Sequence, residues 1–144
     1  YSEKHGINSR LDEIQAAILN FQLSKLKSNI IKGKKIAKIY NENLKKESLV
    51  LPIENKDNYH SYYAYVVRHQ QRSKIINYLL KNDIVCNVSY PFPIHSMKGY
   101  ANFNKKRSDL KVTERFSKEI FSLPIYPELS TKKLEKVIKI INKF

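Results

Sequence analysis

Apolar residues at the start of the chain recur every three or four positions. Leu11, Ile14, Ile18 and Phe21 form one series, and Leu23, Leu26, Ile30, Gly33, Ala37, Tyr40 and Leu44 form a second. This spacing predicts an amphipathic helix with a buried stripe, then a second helix or a continuation bent near Ser24. Lys25, Lys32, Lys35 and Lys38 fall on the outer face. Asn8 or Ser9 is the expected cap, and Asp12 and Glu13 suit the positive end of the first turn.

Beyond Glu47 and Ser48 the period changes. Leu49-Val50-Leu51 before Pro52 predicts a short edge strand, since proline cannot donate to a ladder. Residues 53–60 are polar and predict a loop. Tyr62-Tyr63-Ala64-Tyr65-Val66-Val67 is aromatic and β-branched, which predicts a strand with Tyr63, Tyr65 and Val67 on one face and Tyr62, Ala64 and Val66 on the other. Ile75, Ile76, Leu79 and Leu80 mark a helix over 72–82, ended by Asn82-Asp83, both tolerant of left-handed backbone. Ile84, Cys86, Val88 and Tyr90 alternate with Val85, Asn87 and Ser89, a clear strand pattern. Pro91-Phe92-Pro93 then forbids pairing and stiffens the backbone.

Residues 98–108 are polar and are expected to be a mobile loop. Ser108 or Asp109 is placed to cap a helix over 110–121, buried through Val112, Phe116 and Ile120. Leu123 to Pro127 is held extended by two prolines. Ser130 caps a final helix with an apolar stripe of Leu134, Val137, Ile138, Ile141 and Phe144. Together these elements predict an α+β fold: long N-terminal helices, then a small antiparallel or mixed sheet covered by helices. A division follows, with 1–46 a helical connector and 47–144 a small α+β domain.

Composition narrows the classes. At 144 residues the chain is one ordinary domain with room for a core. It opens on Tyr1 and its sole methionine is Met97, so a fragment, a processed product or a trimmed piece is expected. No apolar run is long enough to span a bilayer, and no signal-peptide pattern occurs. A single cysteine, Cys86, rules out an internal disulfide framework and fits a reducing compartment, so a cytoplasmic location is expected. Its spacing to the histidines suggests no metal site.

The charge is +14, from 27 basic and 13 acidic residues. Such a balance attracts nucleic acid, anionic membrane or phosphorylated ligands. The lysines are nevertheless spread along the chain, and no nucleic-acid motif is present. Solvated helix faces account for most of them, which argues against a nucleic-acid partner.

The candidate chemistry begins at the first helix. A capped helix start bearing Asn8 and Arg10 is a plausible anion site, where free backbone N–H groups and the dipole converge; a helix start with no ligand is the plainer reading. Tyr90 is presented at a strand end by the rigid proline turn, a good place for a ligand contact. Lys105-Lys106-Arg107 is either a steering patch for a phosphorylated ligand or a solvated loop.

His5 to Leu19 resembles the G-x-N-x-R-x-D-x-x-Q-A-A-x-L segment of the DegT-type sugar-nucleotide aminotransferases, which use pyridoxal phosphate (PLP). Tyr90-Pro91-Phe92-Pro93-Ile94-His95, Thr113-Glu114 and Ser122 to Leu129 match further segments in the same order, so the similarity covers nearly the whole chain. The matched portion is the family's C-terminal part, which implies the small domain of a fold type I PLP enzyme. The resemblance implies an amino transfer from an amino acid, usually glutamate, to a keto-sugar on a nucleotide diphosphate, in amino-sugar or polysaccharide biosynthesis. It implies a homodimer with shared active sites, in which Asn8 reaches the PLP phosphate bound by the neighbouring subunit. Arg10 bears on the same phosphate or fixes the helix start. Tyr90 and His95 correspond to positions on the substrate side, where His95 serves as a substrate contact or as a pin for its loop. His60 resembles the histidine of an H-x-Y strand, with a backbone-bonded strand-end role equally open.

The chain departs from the family at Ser89, where histidine is usual, and at Lys111, where proline is common. None of the 22 lysines sits in a context resembling the family's Schiff-base segment. That lysine, the pyridine-facing aspartate and most of the phosphate cup are expected upstream of Tyr1, leaving no catalytic residue to nominate and a chain that does not transaminate alone. Two other classes stay open: a basic binding module for nucleic acid or another polyanion, and a non-catalytic dimerising remnant.

Overall fold

The computed structural model describes residues 11–45, 47, 49–103 and 110–144. Asn8, Ser9, Arg10, Lys105, Lys106, Arg107, Ser108 and Asp109 lie outside the described residues. Helix α1 spans Glu13–Asn43, β1 spans Tyr65–Arg68 and α2 spans Arg72–Leu80. Two 3₁₀ turns, Ile94–Ser96 and Lys98–Phe103, precede α3 (Lys111–Glu119), β2 (Ile120–Leu123) and α4 (Thr131–Ile141). The α+β expectation holds.

β1 and β2 pair antiparallel, with Tyr65 opposite Leu123 and Val67 opposite Phe121. Single antiparallel bridges extend the pairing on both sides, Val50 to Arg68 and Asn87 to Ser122. Tyr65, Val67, Phe121 and Leu123 share one face and are buried. Onto them pack Ile36, Ala37 and Tyr40 of α1, Ile75 and Leu79 of α2, and Leu134, Val137 and Ile141 of α4. Arg68 turns the other way, its guanidinium 3.7 Å above the Phe116 ring of α3.

Polar bonds fix how α1 meets this body. Tyr40 Oη donates to the Pro124 carbonyl at 2.9 Å, and Tyr65 Oη donates to Asn41 Oδ1 at 2.6 Å. The two rings pack 4.8 Å apart. At the helix end, the Asn142 side chain donates to the Asn43 carbonyl at 2.8 Å and accepts from the Lys45 amide at 3.0 Å. A carbonyl that the end of α1 leaves unpaired is thus satisfied by the side-chain amide of Asn142, just past α4.

Several expectations change. α1 is one continuous helix through Ser24, whose hydroxyl donates back to the Phe21 carbonyl at 2.7 Å. It begins after Asp12, and the predicted stripe of Leu11, Ile14, Ile18 and Phe21 is 51–75% exposed. The reason is length: 31 residues make a rod roughly 45 Å long, more than this body can cover. The strand expected over 62–67 covers only Tyr65–Arg68, because Tyr62 is left-handed at φ 51° and shifts the alternation. Tyr62 is therefore buried beside Tyr65, while Tyr63 stands 94% exposed.

The pattern at 84–90 yields one bridge at Asn87 instead of a full strand. The helix expected to run to Phe121 ends at Glu119, and Ile120 and Phe121 open β2. Within it, Val112 is exposed and Phe116 half-buried. Part of the segment expected to be a mobile loop, Lys98–Phe103, is a 3₁₀ turn. Two punctuation signals act as expected: Asp83 is left-handed at φ 60°, and Ser130 Oγ accepts from the Lys133 amide.

Replacing Tyr40 with phenylalanine removes one donor and leaves the partly buried Pro124 carbonyl without it. Tyr40→Phe is expected to destabilise the chain by about 1–2 kcal/mol, measured as a lower urea midpoint at unchanged slope. An unchanged midpoint would mean that this bond contributes nothing.

Candidate functional site

The candidate surface starts where the sheet stops. Asn87 exchanges two backbone bonds with Ser122, at 3.2 and 2.8 Å, and its side chain donates to Ser89 Oγ at 3.0 Å. The prolines at 91 and 93 bring no amide hydrogen, so pairing cannot continue. The chain then tightens into the turn Ile94–Ser96, where the Ser96 amide and hydroxyl both donate to the Pro93 carbonyl, at 3.0 and 2.8 Å.

Tyr90 stands 75% exposed on this stretch, and Phe92 and Ile94 are exposed with it. His95 faces the other way. Its side chain is 16% exposed, with Nε2 3.1 Å from Glu114 Oε1 in the first turn of α3. The structure thus joins two of the sequence segments singled out above, 19 positions apart. Spacing alone did not foretell this pair, because it depends on α3 folding back beside the proline turn. A groove of about 800 Å³ beside α1, lined by Lys34, Asn41, Leu51, Glu54 and Tyr62, contains neither Tyr90 nor His95. The aromatic rim around Tyr90 is an open surface.

His60 is engaged locally. Its Nδ1 accepts from the Tyr62 amide at 2.9 Å and its ring stacks on Tyr62 at 4.1 Å, which braces the left-handed residue. The His60 amide and Lys34 Nζ both donate to Glu54 Oε1, at 2.9 and 2.8 Å. The lysine bond is the chief reason that the Glu54 carboxyl lies below, and the Lys34 ammonium above, its ordinary range. These bonds tie the 53–60 loop to α1.

Among the described residues no group of three or more His, Cys, Asp or Glu is placed to hold a metal ion. PLP requires a lysine enclosed beside its ring and a carboxylate at the pyridine nitrogen. No described lysine is buried. The described residues therefore do not fit the cofactor by themselves.

Burial pushes the Cys86 thiol up to about 11. Only the thiolate attacks an electrophile. Alkylation of Cys86 at pH 8 is expected to be slower than in urea by on the order of 100-fold, read by mass spectrometry. Equal rates would show that the thiol is not shielded.

The family model described as "DegT/DnrJ/EryC1/StrS aminotransferase family" matches residues 1–142. A dTDP-3-amino-3,4,6-trideoxy-alpha-D-glucose transaminase of Micromonospora megalomicea subsp. nigra is 41% identical over 141 residues, covering 94% of this chain and 38% of that protein. A dTDP-3-amino-3,6-dideoxy-alpha-D-galactopyranose transaminase of Aneurinibacillus thermoaerophilus is 34% identical over 139 residues, covering 96% of this chain and 38% of that protein. Among solved structures, S. venezuelae DesV superposes with a TM-score of 0.90 at 31% identity, over 99% of this chain and 39% of DesV. The chain spans about two-fifths of the length of these relatives. With its motifs in order and its fold matched nearly end to end, the chain belongs to the DegT/DnrJ/EryC1/StrS aminotransferase family.

Proposed function

We propose that this chain is the C-terminal part of a PLP-dependent aminotransferase that moves an amino group from an amino acid, glutamate in our reading, to a keto-sugar carried on a nucleotide diphosphate. The observation that carries this reading is the match with dTDP-sugar transaminases over 94–96% of the chain. The product is an amino sugar for a surface polysaccharide or related glycoside, made in the cytoplasm. Bound PLP supplies an electron-withdrawing ring that stabilises charge on the carbon next to the transferred nitrogen.

The chain's own residues bind and shape. In this proposal residues 1–46 connect to the rest of the enzyme and 47–144 form the small domain. The enzyme is a homodimer with shared active sites, in which Asn8 donates to the phosphate of PLP bound by the neighbouring subunit and Arg10 adds charge beside it. The exposed apolar side chains of Leu11, Ile14, Ile18 and Phe21 support this arrangement. Contiguous apolar surface of that kind marks a contact face. Tyr90 meets the nucleotide-sugar on the open rim, and His95 lies on the same turn.

The test is expression of the complete reading frame, with a PLP absorption band as the first readout. Asn8→Ala is expected to weaken PLP retention by about 1–3 kcal/mol, the worth of a charge-assisted hydrogen bond, or roughly 5- to 150-fold in Kd. Unchanged PLP affinity in that variant would remove Asn8 from the site. Turnover by the 144-residue chain alone would overturn the placement of the lysine outside it.

A further inference from the structure

We propose that Glu114 is a positioning residue for the turn that carries Tyr90: its carboxylate fixes His95, and His95 fixes the set of the Tyr90–Ile94 rim. The inference rests on the reading that this rim faces the nucleotide-sugar, and it assigns His95 to its loop instead of to the substrate.

The turn's own prolines and exposed apolar side chains do little to orient it. Pro91 and Pro93 carry no amide hydrogen, and Phe92 and Ile94 are each 66% exposed, so little apolar area seats them. The amides of Ser96 and Met97 donate within the turn, to Pro93 and Ile94, and the Met97 carbonyl accepts from Tyr100 in the 3₁₀ turn that follows. The contact of His95 Nε2 with Glu114 Oε1 crosses instead to another element, at 3.1 Å. The imidazole is enclosed while the carboxylate is 54% exposed. Glu114 is itself well held. It lies in the first turn of α3, where the helix dipole favours a negative charge, and its carbonyl accepts from Ser117 Oγ at 2.9 Å.

Magnitude separates orientation from support. A carboxylate half in water contributes little to global stability, because water competes for it and salt screens it. Its loss should leave the melting temperature nearly unchanged while freeing the turn. A residue that merely supports the fold would do the opposite.

The test combines exchange in this chain with kinetics in the enzyme from the complete reading frame. In Glu114→Ala the Ser96 and Met97 amides should exchange about fivefold faster, the factor for roughly 1 kcal/mol, with the α2 and α4 amides unmoved. Glu114→Gln, which keeps an acceptor oxygen, should restore most of the protection. In the enzyme, Glu114→Ala should raise KM for a dTDP-keto-sugar severalfold and leave the amino-donor half-reaction unchanged. Unchanged exchange at Ser96 and Met97, or faster exchange spread through α2 and α4, would overturn the assignment. So would unaltered sugar kinetics in an active enzyme. A wild-type enzyme that transaminates no nucleotide-sugar would instead sink the function proposed above and leave the exchange result standing.

Discussion

Two buried phenols that each bond across the core, Tyr40 and Tyr65, hold the long helix to the sheet. Tyr40 from α1 and Tyr65 from β1 are fully buried and packed ring against ring. Each hydroxyl reaches across to the other side: Tyr40 to the Pro124 carbonyl just after β2, Tyr65 to Asn41 on the helix. A buried hydroxyl without a partner is costly, so only one register of helix on sheet satisfies both. Burial also pushes both phenols above their ordinary range, which keeps them neutral donors at any working pH. Leucines at the same places would bury area without selecting a register.

Fixing one half of α1 in this way commits the other half to project. Gly33, Ile36, Ala37 and Tyr40 are buried, whereas Leu11, Ile14, Ile18 and Phe21 have little of the described chain beneath them. The rod carries that apolar stripe outward, where it stands exposed. Charge follows the same division: no described lysine is buried, and Lys34 of α1 turns back onto Glu54 of the 53–60 loop.

The candidate surface follows the same economy. A strand register fixed at Asn87 and Ser122 delivers the chain to Pro91 and Pro93, and the prolines aim it outward. What remains adjustable is the tilt of an exposed rim, and weak side-chain bonds are sufficient to set a tilt. His60 uses its imidazole comparably, bracing the left-handed Tyr62 so that Tyr62 turns in and Tyr63 turns out.

Local signals in the sequence determined the fold class, the left-handed stop at Asp83, the cap at Ser130, the stripe of Leu134, Val137 and Ile141, and the presentation of Tyr90 by prolines. Each depends on groups within a few positions of one another, and periodicity and backbone preference report such groups directly. Tertiary structure decided the rest. It made α1 one rod, exposed the stripe that periodicity marks as buried, cut the 84–90 pattern to one bridge, and turned Ile120 and Phe121 from helix to strand. It also brought His95 to Glu114. A repeat of apolar residues says that a face seeks cover, and it does not say whether its own chain, or something else, provides it.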